Sequence, residues 1–103
     1  MTAIHDQIDA LIKDNHVVLF MKGTPDFPQC GFSAKVAHIL RECGTTNYVS
    51  VNVLDDPDMR QGIKDYAQWP TIPQLYIKGE FIGGCDIVTD LFESGELEDM
   101  LNS

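Results

Sequence analysis

Positive charge is scarce in this sequence, and that scarcity limits the partners the protein can have. Seven lysines and arginines stand against 16 aspartates and glutamates, which gives a formal net charge of −9. A surface this acidic repels phosphate backbones, so we do not expect a nucleic-acid partner. Residues 86–103 hold six acidic and no basic residues, which predicts a solvated C-terminal face. The few cations, among them Lys22, Arg60 and Lys64, are candidates for a site that binds a small anion.

Long apolar runs and cysteines are also scarce. No segment approaches the roughly 18 to 20 apolar residues that span a bilayer, so no membrane partner is expected. Residues 1–6 lack a basic stretch followed by an apolar one, so we expect no secretory signal. The three cysteines are an odd and sparse set, which argues against a secreted disulfide framework and for a reducing compartment. We expect a cytoplasmic protein with one domain over residues 1–103.

Hydrophobic patterning predicts the order αβαβαββα, with the last helix interrupted at Gly95. The predicted strands are Val17–Met21, residues 48–53, Gln74–Ile77 and residues 81–82. The first two strands, joined through a helix, should be parallel, and the last two should form a hairpin through residues 78–80. This predicts an α/β fold with a mixed four-stranded sheet and helices on both faces.

Helix boundaries follow from capping residues and breakers. The first helix is predicted to start near Thr2 or His5–Asp6 and to end near Asn15, and the second to run from Gly31 or Phe32 to about Cys43. The third is predicted to open at Asp55-Asp56-Pro57, with an aspartate as cap, and the last to begin at Asp86 as N-cap. Apolar residues at helical spacing in the second helix are Phe32, Val36, Ile39, Leu40 and Cys43. The buried face of the third helix is predicted to be Met59, Ile63, Tyr66 and Ala67, and the last helix carries Ile87, Leu91 and Phe92.

Residues 28–33 carry the chemistry that the sequence suggests. Cys30 lies where a strand has ended and a helix is about to begin, a position whose free N–H groups and helix dipole favour negative charge. A thiolate should therefore form at a lower pH than usual, with Lys22 adding positive charge. Cys30 is thus a candidate nucleophile or metal ligand. Redox enzymes with this arrangement use C-x-x-C, but the fourth position here is Ser33, which cannot close a disulfide.

Four motifs stand in order along these elements: K-G-T-P at residues 22–25, C-G-F-S at 30–33, W-P-T-I-P-Q-L at 69–75 and G-G-C-D at 83–86. Together they resemble the CGFS-type monothiol glutaredoxins, in the single-domain form without the additional thioredoxin-like domain of some relatives. The resemblance spans the chain from the first helix to the last. It implies a thioredoxin-like fold and a glutathione-binding site.

The resemblance also assigns roles at that site. Lys22 and Arg60 would pair with the glycyl carboxylate of glutathione, with Lys64 as a further candidate. Ile72, which precedes a cis Pro73, would hydrogen-bond the peptide backbone as an added strand does.

At the other end of glutathione, the N–H groups of Cys85 and Asp86 would hold the γ-glutamyl carboxylate. The side chain of Asp86 would reach the ammonium group. Glutathione has two carboxylates and one ammonium group, so this division of charges agrees with its chemistry.

Proteins of this type carry a 2Fe–2S cluster, and the resemblance implies the same here, with Cys30 as the metal ligand. Such a cluster usually needs four thiolates. One Cys30 from each of two protomers and one glutathione on each would supply them, so the cluster would bridge a homodimer. The implied function is cluster transfer to apo iron–sulfur client proteins, with a BolA-like protein as a partner that replaces one protomer.

Two alternatives remain open from the sequence. A glutathione-dependent oxidoreductase would reduce protein–glutathione mixed disulfides through Cys30 alone, with a second glutathione resolving the adduct. A redox switch would join Cys30 to Cys43 or to Cys85. Cys43 lies on an apolar stripe and is expected to pack in the core, whereas Cys85 could be filler or a redox-linked thiol. Trp69 is expected to brace its linker.

Overall fold

The computed structural model describes residues 3–103. Over this range the chain forms five helices and four strands: α1 Ala3–Asp14, β1 Val17–Met21, α2 Gly31–Glu42, β2 Val49–Asn52, α3 Pro57–Ala67, β3 Gln74–Ile77, β4 Glu80–Gly83, α4 Cys85–Ser94 and α5 Glu96–Asn102. This confirms the predicted order, with the last helix divided at Gly95. The possible helix start at Thr2 lies outside the described residues. No helix in the described part of the chain is long and apolar enough to cross a membrane.

The four strands form one mixed sheet in the order β2-β1-β3-β4. β1 runs parallel to β2 and antiparallel to β3, and β3 pairs with β4 as an antiparallel hairpin. The hairpin turns at Lys78 and Gly79, whose φ values of 53° and 80° are both positive, as a type I′ turn requires. The predicted topology is confirmed.

The central strand β1 is buried on both faces, as its uninterrupted apolar sequence predicts. Its odd-numbered residues, such as Leu19, pack against α2, α4 and α5, and its even-numbered residues, such as Phe20, pack against α1 and α3. All five of its residues are buried. The strand that leads into the candidate site therefore lies in the middle of both cores.

The apolar stripe predicted for α2 is wrong at its first residue, Phe32. In α2 the buried stripe is Ser33, Val36, Ala37, Ile39 and Leu40, and Phe32 is 64% exposed. Of the apolar residues noted in the last helix, Ile87 and Phe92 are 37% and 38% exposed, and the buried residue of α4 is Val88. Apolar spacing identifies a hydrophobic residue but not whether it faces the core or an open groove.

The predicted cap of α4 is also wrong. The N-cap is Gly84, in extended conformation and without a side-chain hydrogen bond, and Asp86 lies inside the first turn of the helix. A carboxylate in the first turn still interacts favourably with the helix dipole. By contrast, α3 begins as predicted: Asp56 is its N-cap, accepts a hydrogen bond from the backbone N–H of Met59, and precedes Pro57.

Candidate functional site

Cys30 is the N-cap residue of α2, in extended conformation with φ −151° and ψ 134°. Its sulfur lies where the first N–H groups of the helix have no partner further back in the chain. The pKa of Cys30 is lowered, most of all by a hydrogen bond from the backbone N–H of Ser33. The backbone N–H of Phe32, the Ser33 hydroxyl and the charge of Lys22 lower it further, and partial burial opposes them. The structure therefore makes Cys30 the more readily ionised thiol that the sequence predicts.

Ser33 does more than withhold a second thiol, and the sequence did not indicate this. The side chain is fully buried, and its oxygen accepts a hydrogen bond from the backbone N–H of Lys22 at 3.1 Å. Its hydroxyl also helps to lower the pKa of Cys30. Ser33 thus links the end of β1 to the thiol. The signal in the sequence is its position on the buried stripe of α2, where binary patterning expects an apolar residue.

The loop between β1 and α2 is held tightly. Gly23 forms an isolated bridge with Pro28, and the N–H of Gln29 donates to the carbonyl of Lys22 at 2.9 Å. The N–H of Gly23 donates to the side chain of Asn52 at 2.9 Å. The loop therefore fixes the chain on the approach to Cys30, while the ring of Phe27 at its outer turn remains 75% exposed.

One half of a groove surrounds the thiol and is rich in positive charge. It has a volume of about 330 Å³ and is lined by Lys22, Cys30, Phe32, Arg60, Lys64, Pro70, Thr71 and Ile72. Three of the seven basic residues of the chain line this half, and no carboxylate does. The structure thus brings Lys22, Arg60 and Cys30 together, and it places Lys64 with them.

The other half of the groove ends at the N-terminus of α4. It measures about 230 Å³ and is lined by Phe32, Trp69, Thr71, Ile72, Pro73, Gly84, Cys85, Asp86 and Ile87. Phe32, Thr71 and Ile72 line both halves, so the two form one continuous groove. All predicted site residues therefore lie along it, and the Ile72–Pro73 peptide bond is cis, as the resemblance implied. The exposed apolar residues Phe32 and Ile87 are walls of this groove.

Trp69 closes the back of the second half. Its ring lies against Phe81, with centroids 5.6 Å apart, in agreement with the expected bracing role. Its indole nitrogen is buried and has no hydrogen-bond partner within residues 3–103. A Cβ on Gly84 would lie 3.5 Å from this nitrogen and 3.3 Å from the carbonyl of Pro73, so the wall is close-packed at Gly84.

The three cysteines are unpaired, and one predicted pairing does not fit the fold. Cys43 is the C-cap of α2 and Cys30 its N-cap, so the two are about 20 Å apart at ~1.5 Å per helical residue. A disulfide requires Cα atoms roughly 4.4–6.8 Å apart. Burial, with help from Glu98 and Glu42, raises the pKa of Cys43. The redox-switch hypothesis is left with Cys85, which lines the groove.

Alkylation of Cys30 should show its lowered pKa directly. In a variant with Cys43 and Cys85 replaced by serine, we expect the rate of reaction with iodoacetamide to rise with a midpoint below the ~8.5 of a free thiol. Adding Ser33→Ala should raise that midpoint, because it removes the hydroxyl but keeps the backbone N–H. A variant that retains only Cys43 is the control and should titrate above the ordinary value. A Cys30 midpoint at or above that of a free thiol would contradict this account.

Comparison with known proteins identifies the family. The glutaredoxin family profile matches residues 17–82. The chain is 54% identical over 94 residues to "Glutaredoxin-related protein 5, mitochondrial" of Danio rerio, covering 91% of this chain and 61% of that protein. It is 51% identical over 102 residues to "Monothiol glutaredoxin-5, mitochondrial" of Saccharomyces cerevisiae, covering 97% of this chain and 68% of that protein.

Solved structures agree with the sequence comparison. Reduced apo GrxS14 from poplar superposes with a TM-score of 0.81 at 50% identity, covering 97% of this chain and 91% of that one. A buckwheat glutaredoxin–glutathione complex, 24% identical, shares the fold with a TM-score of 0.83, covering 96% of this chain and 87% of that one. The fold is thioredoxin-like, and this chain belongs to the monothiol glutaredoxin family.

Proposed function

We propose that this protein binds glutathione in the groove, assembles a 2Fe–2S cluster between two copies through Cys30, and transfers the cluster to apo iron–sulfur proteins. The observation that carries the proposal is the position of Cys30. This single activated thiol lies in one groove between a cluster of three cations and the N-terminus of α4. Each step of the proposal uses one part of that groove.

The charges of the groove suit glutathione. Lys22, Arg60 and Lys64 line one half, and cationic donors form strong hydrogen bonds with a carboxylate such as the glycyl end of glutathione. The other half ends at Cys85 and Asp86 in the first turn of α4, where free N–H groups attract the γ-glutamyl carboxylate. The carboxylate of Asp86 suits the ammonium group, and the backbone of Ile72 lies between the two ends.

The ligands available for a cluster point to a shared site. No group of three or more His, Cys, Asp or Glu side chains that could hold a metal occurs among the residues described. Cys85 also lines the groove, but only its backbone is assigned to the ligand, so each chain would supply one thiolate, that of Cys30. A 2Fe–2S cluster usually takes four thiolates. Two Cys30 side chains and two glutathione thiols complete the set, so the assembly is a homodimer. Half of its ligands would be exchangeable small molecules, which suits a cluster that is passed on.

The partners follow from this function. Apo iron–sulfur proteins would receive the cluster, and a BolA-like protein would take the place of one protomer in a mixed complex. We place this activity in the cytoplasm, where a reducing environment keeps Cys30 and glutathione as thiols.

Anaerobic reconstitution with iron, sulfide and glutathione tests the proposal. We expect the visible absorption of a 2Fe–2S cluster and a molecular mass about twice the 11.5 kDa of one chain. The same mixture without glutathione is the control and should remain colourless and monomeric, because two of the four thiolates are then missing. A colourless monomer in the complete mixture would contradict the proposal.

A second candidate function, the glutathione-dependent oxidoreductase, is favoured by the lowered pKa of Cys30. The Cys30 thiolate would attack the glutathione sulfur of a protein mixed disulfide, and the protein thiolate would leave and take up a proton. A second glutathione thiolate would then attack the Cys30 adduct, which releases oxidised glutathione and the Cys30 thiolate. Steady-state turnover of a small mixed disulfide separates the candidates: fast turnover together with failed reconstitution would put the oxidoreductase first.

A further inference from the structure

The segment of residues 69–73 forms one wall of the groove along both halves. It lies between α3 and β3, so neither a helix nor a strand fixes its shape. Pro70 and Pro73 have no backbone N–H, which removes two of the donors that could tie it down. Hydrogen bonds from outside the segment to its carbonyl groups therefore matter for its shape.

Gln74 supplies two of the missing hydrogen bonds. Its side chain is fully buried, which is costly for a carboxamide unless its polar atoms are paired. The side-chain nitrogen donates to the carbonyl of Trp69 at 3.3 Å and to that of Thr71 at 3.1 Å. Both acceptors belong to the groove wall, and they flank the residue between them, Pro70.

Tyr76 orients this carboxamide. Its hydroxyl donates to the side-chain oxygen of Gln74 at 3.3 Å, so the nitrogen must face the groove wall. Burial raises the pKa of Tyr76, which keeps the hydroxyl protonated as a donor. The ring is fixed in turn by edge-on packing against Phe20, with centroids 5.6 Å apart. The chain of contacts thus runs from the core of the sheet to the groove wall.

A buried glutamine could simply be a satisfied polar residue of the core. Two features separate Gln74 from that case. Both hydrogen bonds that its side chain donates end on the groove wall. Gln74 is also the first residue of β3, so it directly follows the segment that it holds. We propose that Gln74 is a positioning residue that holds residues 69–73 so that the backbone of Ile72 meets the peptide of glutathione. The proposal rests on the glutathione site proposed above.

Glutathione binding by Gln74→Met tests the proposal, because methionine keeps the length of the side chain and removes its hydrogen bonds. We expect the dissociation constant, measured by calorimetry, to rise at least tenfold, and that of Tyr76→Phe to rise about threefold. The alkylation midpoint of Cys30 should stay unchanged in both, because its hydrogen bonds come from α2. The backbone order parameter of Ile72, measured by NMR relaxation, should fall in Gln74→Met, whereas those of α2 should not change.

The matched control is Ile77→Ala, on the same strand but in the core on the opposite face of the sheet. It should destabilise the protein and leave glutathione affinity within twofold of wild type.

If Gln74→Met does not fold, Tyr76→Phe carries the test. Wild-type glutathione affinity and wild-type order of Ile72 in the folded variants would overturn the role of Gln74 alone. Failure of the wild-type protein to bind glutathione would overturn the proposed function, while a lower order parameter at Ile72 in Gln74→Met would still support the positioning.

Discussion

Replacing Cys30 by serine is expected to abolish cluster assembly: the reconstituted Cys30→Ser protein should be colourless and monomeric. A serine hydroxyl stays protonated at neutral pH and is a poor ligand for iron, whereas a thiolate binds it strongly. The fold should survive, because Cys30 is an N-cap residue and serine is among the preferred N-caps. Absorbance after reconstitution, mass by light scattering and unfolding in urea would check the three parts of this expectation.

Cys43→Ser is the control for that experiment. Cys43 is half-buried at the far end of α2, so its replacement should leave cluster yield and dimer mass at wild-type values. Cys85→Ser is a sharper comparison, because Cys85 lines the groove but only its backbone is assigned to the ligand. If the cluster persisted in Cys30→Ser and was lost in Cys85→Ser, the ligand would be Cys85 and the assignment of Cys30 would be wrong.

Gly23→Ala is expected to disrupt the site from outside the groove lining. Gly23 has φ +92°, and a Cβ there would lie 2.6 Å from both the N–H nitrogen of Gln29 and the carbonyl oxygen of Phe27. A left-handed conformation costs an L-residue about 1–2 kcal/mol, and forced displacement of packed neighbours about 1–3 kcal/mol more. We therefore expect a loss of roughly 2–5 kcal/mol from a total that is typically about 5–15 kcal/mol, measured by urea unfolding.

The same substitution should also reduce cluster yield, because relief of the clash breaks the hydrogen bond from Gln29 to Lys22 beside Cys30. Gly31→Ala is the matched control. Gly31 begins α2, and a Cβ there meets nothing within 4 Å. Alanine should leave stability unchanged or raise it by up to about 1 kcal/mol. Equal stability of the two variants would show that the loop tolerates a side chain at Gly23.

The elements were predictable where local chemistry decides the structure. An apolar run sets β1, Asp56 and Pro57 set the start of α3, and the Lys78-Gly79 turn sets the hairpin. The error at Phe32 arose because an apolar residue there lines a groove instead of the core. Phe32 begins a helix whose first turn borders the site, and no periodicity separates that position from a buried one.

The candidate site was predictable only in part. The ionisation of Cys30 follows from its place at a helix start, which is local in sequence. The assignments at Arg60, Ile72 and Asp86 came from the family resemblance, because only the folded chain brings them to one groove. The roles of Ser33 and Gln74 were not predictable, since both are buried polar residues that a pattern of apolar and polar positions treats as exceptions.

Because of the sheet order, we expect the two ends of the groove to differ in their local stability against thermal unfolding. Cys30 and Lys22 follow β1, which has a partner strand on each side and is buried throughout, so their surroundings come apart only when the whole molecule melts. Cys85 and Asp86 follow β4, an edge strand with one partner. Warming should therefore loosen the end of the groove at Cys85 and Asp86 first. Between that point and the melting temperature, the protein would retain a reactive thiol with a weakened hold on the ligand beside it.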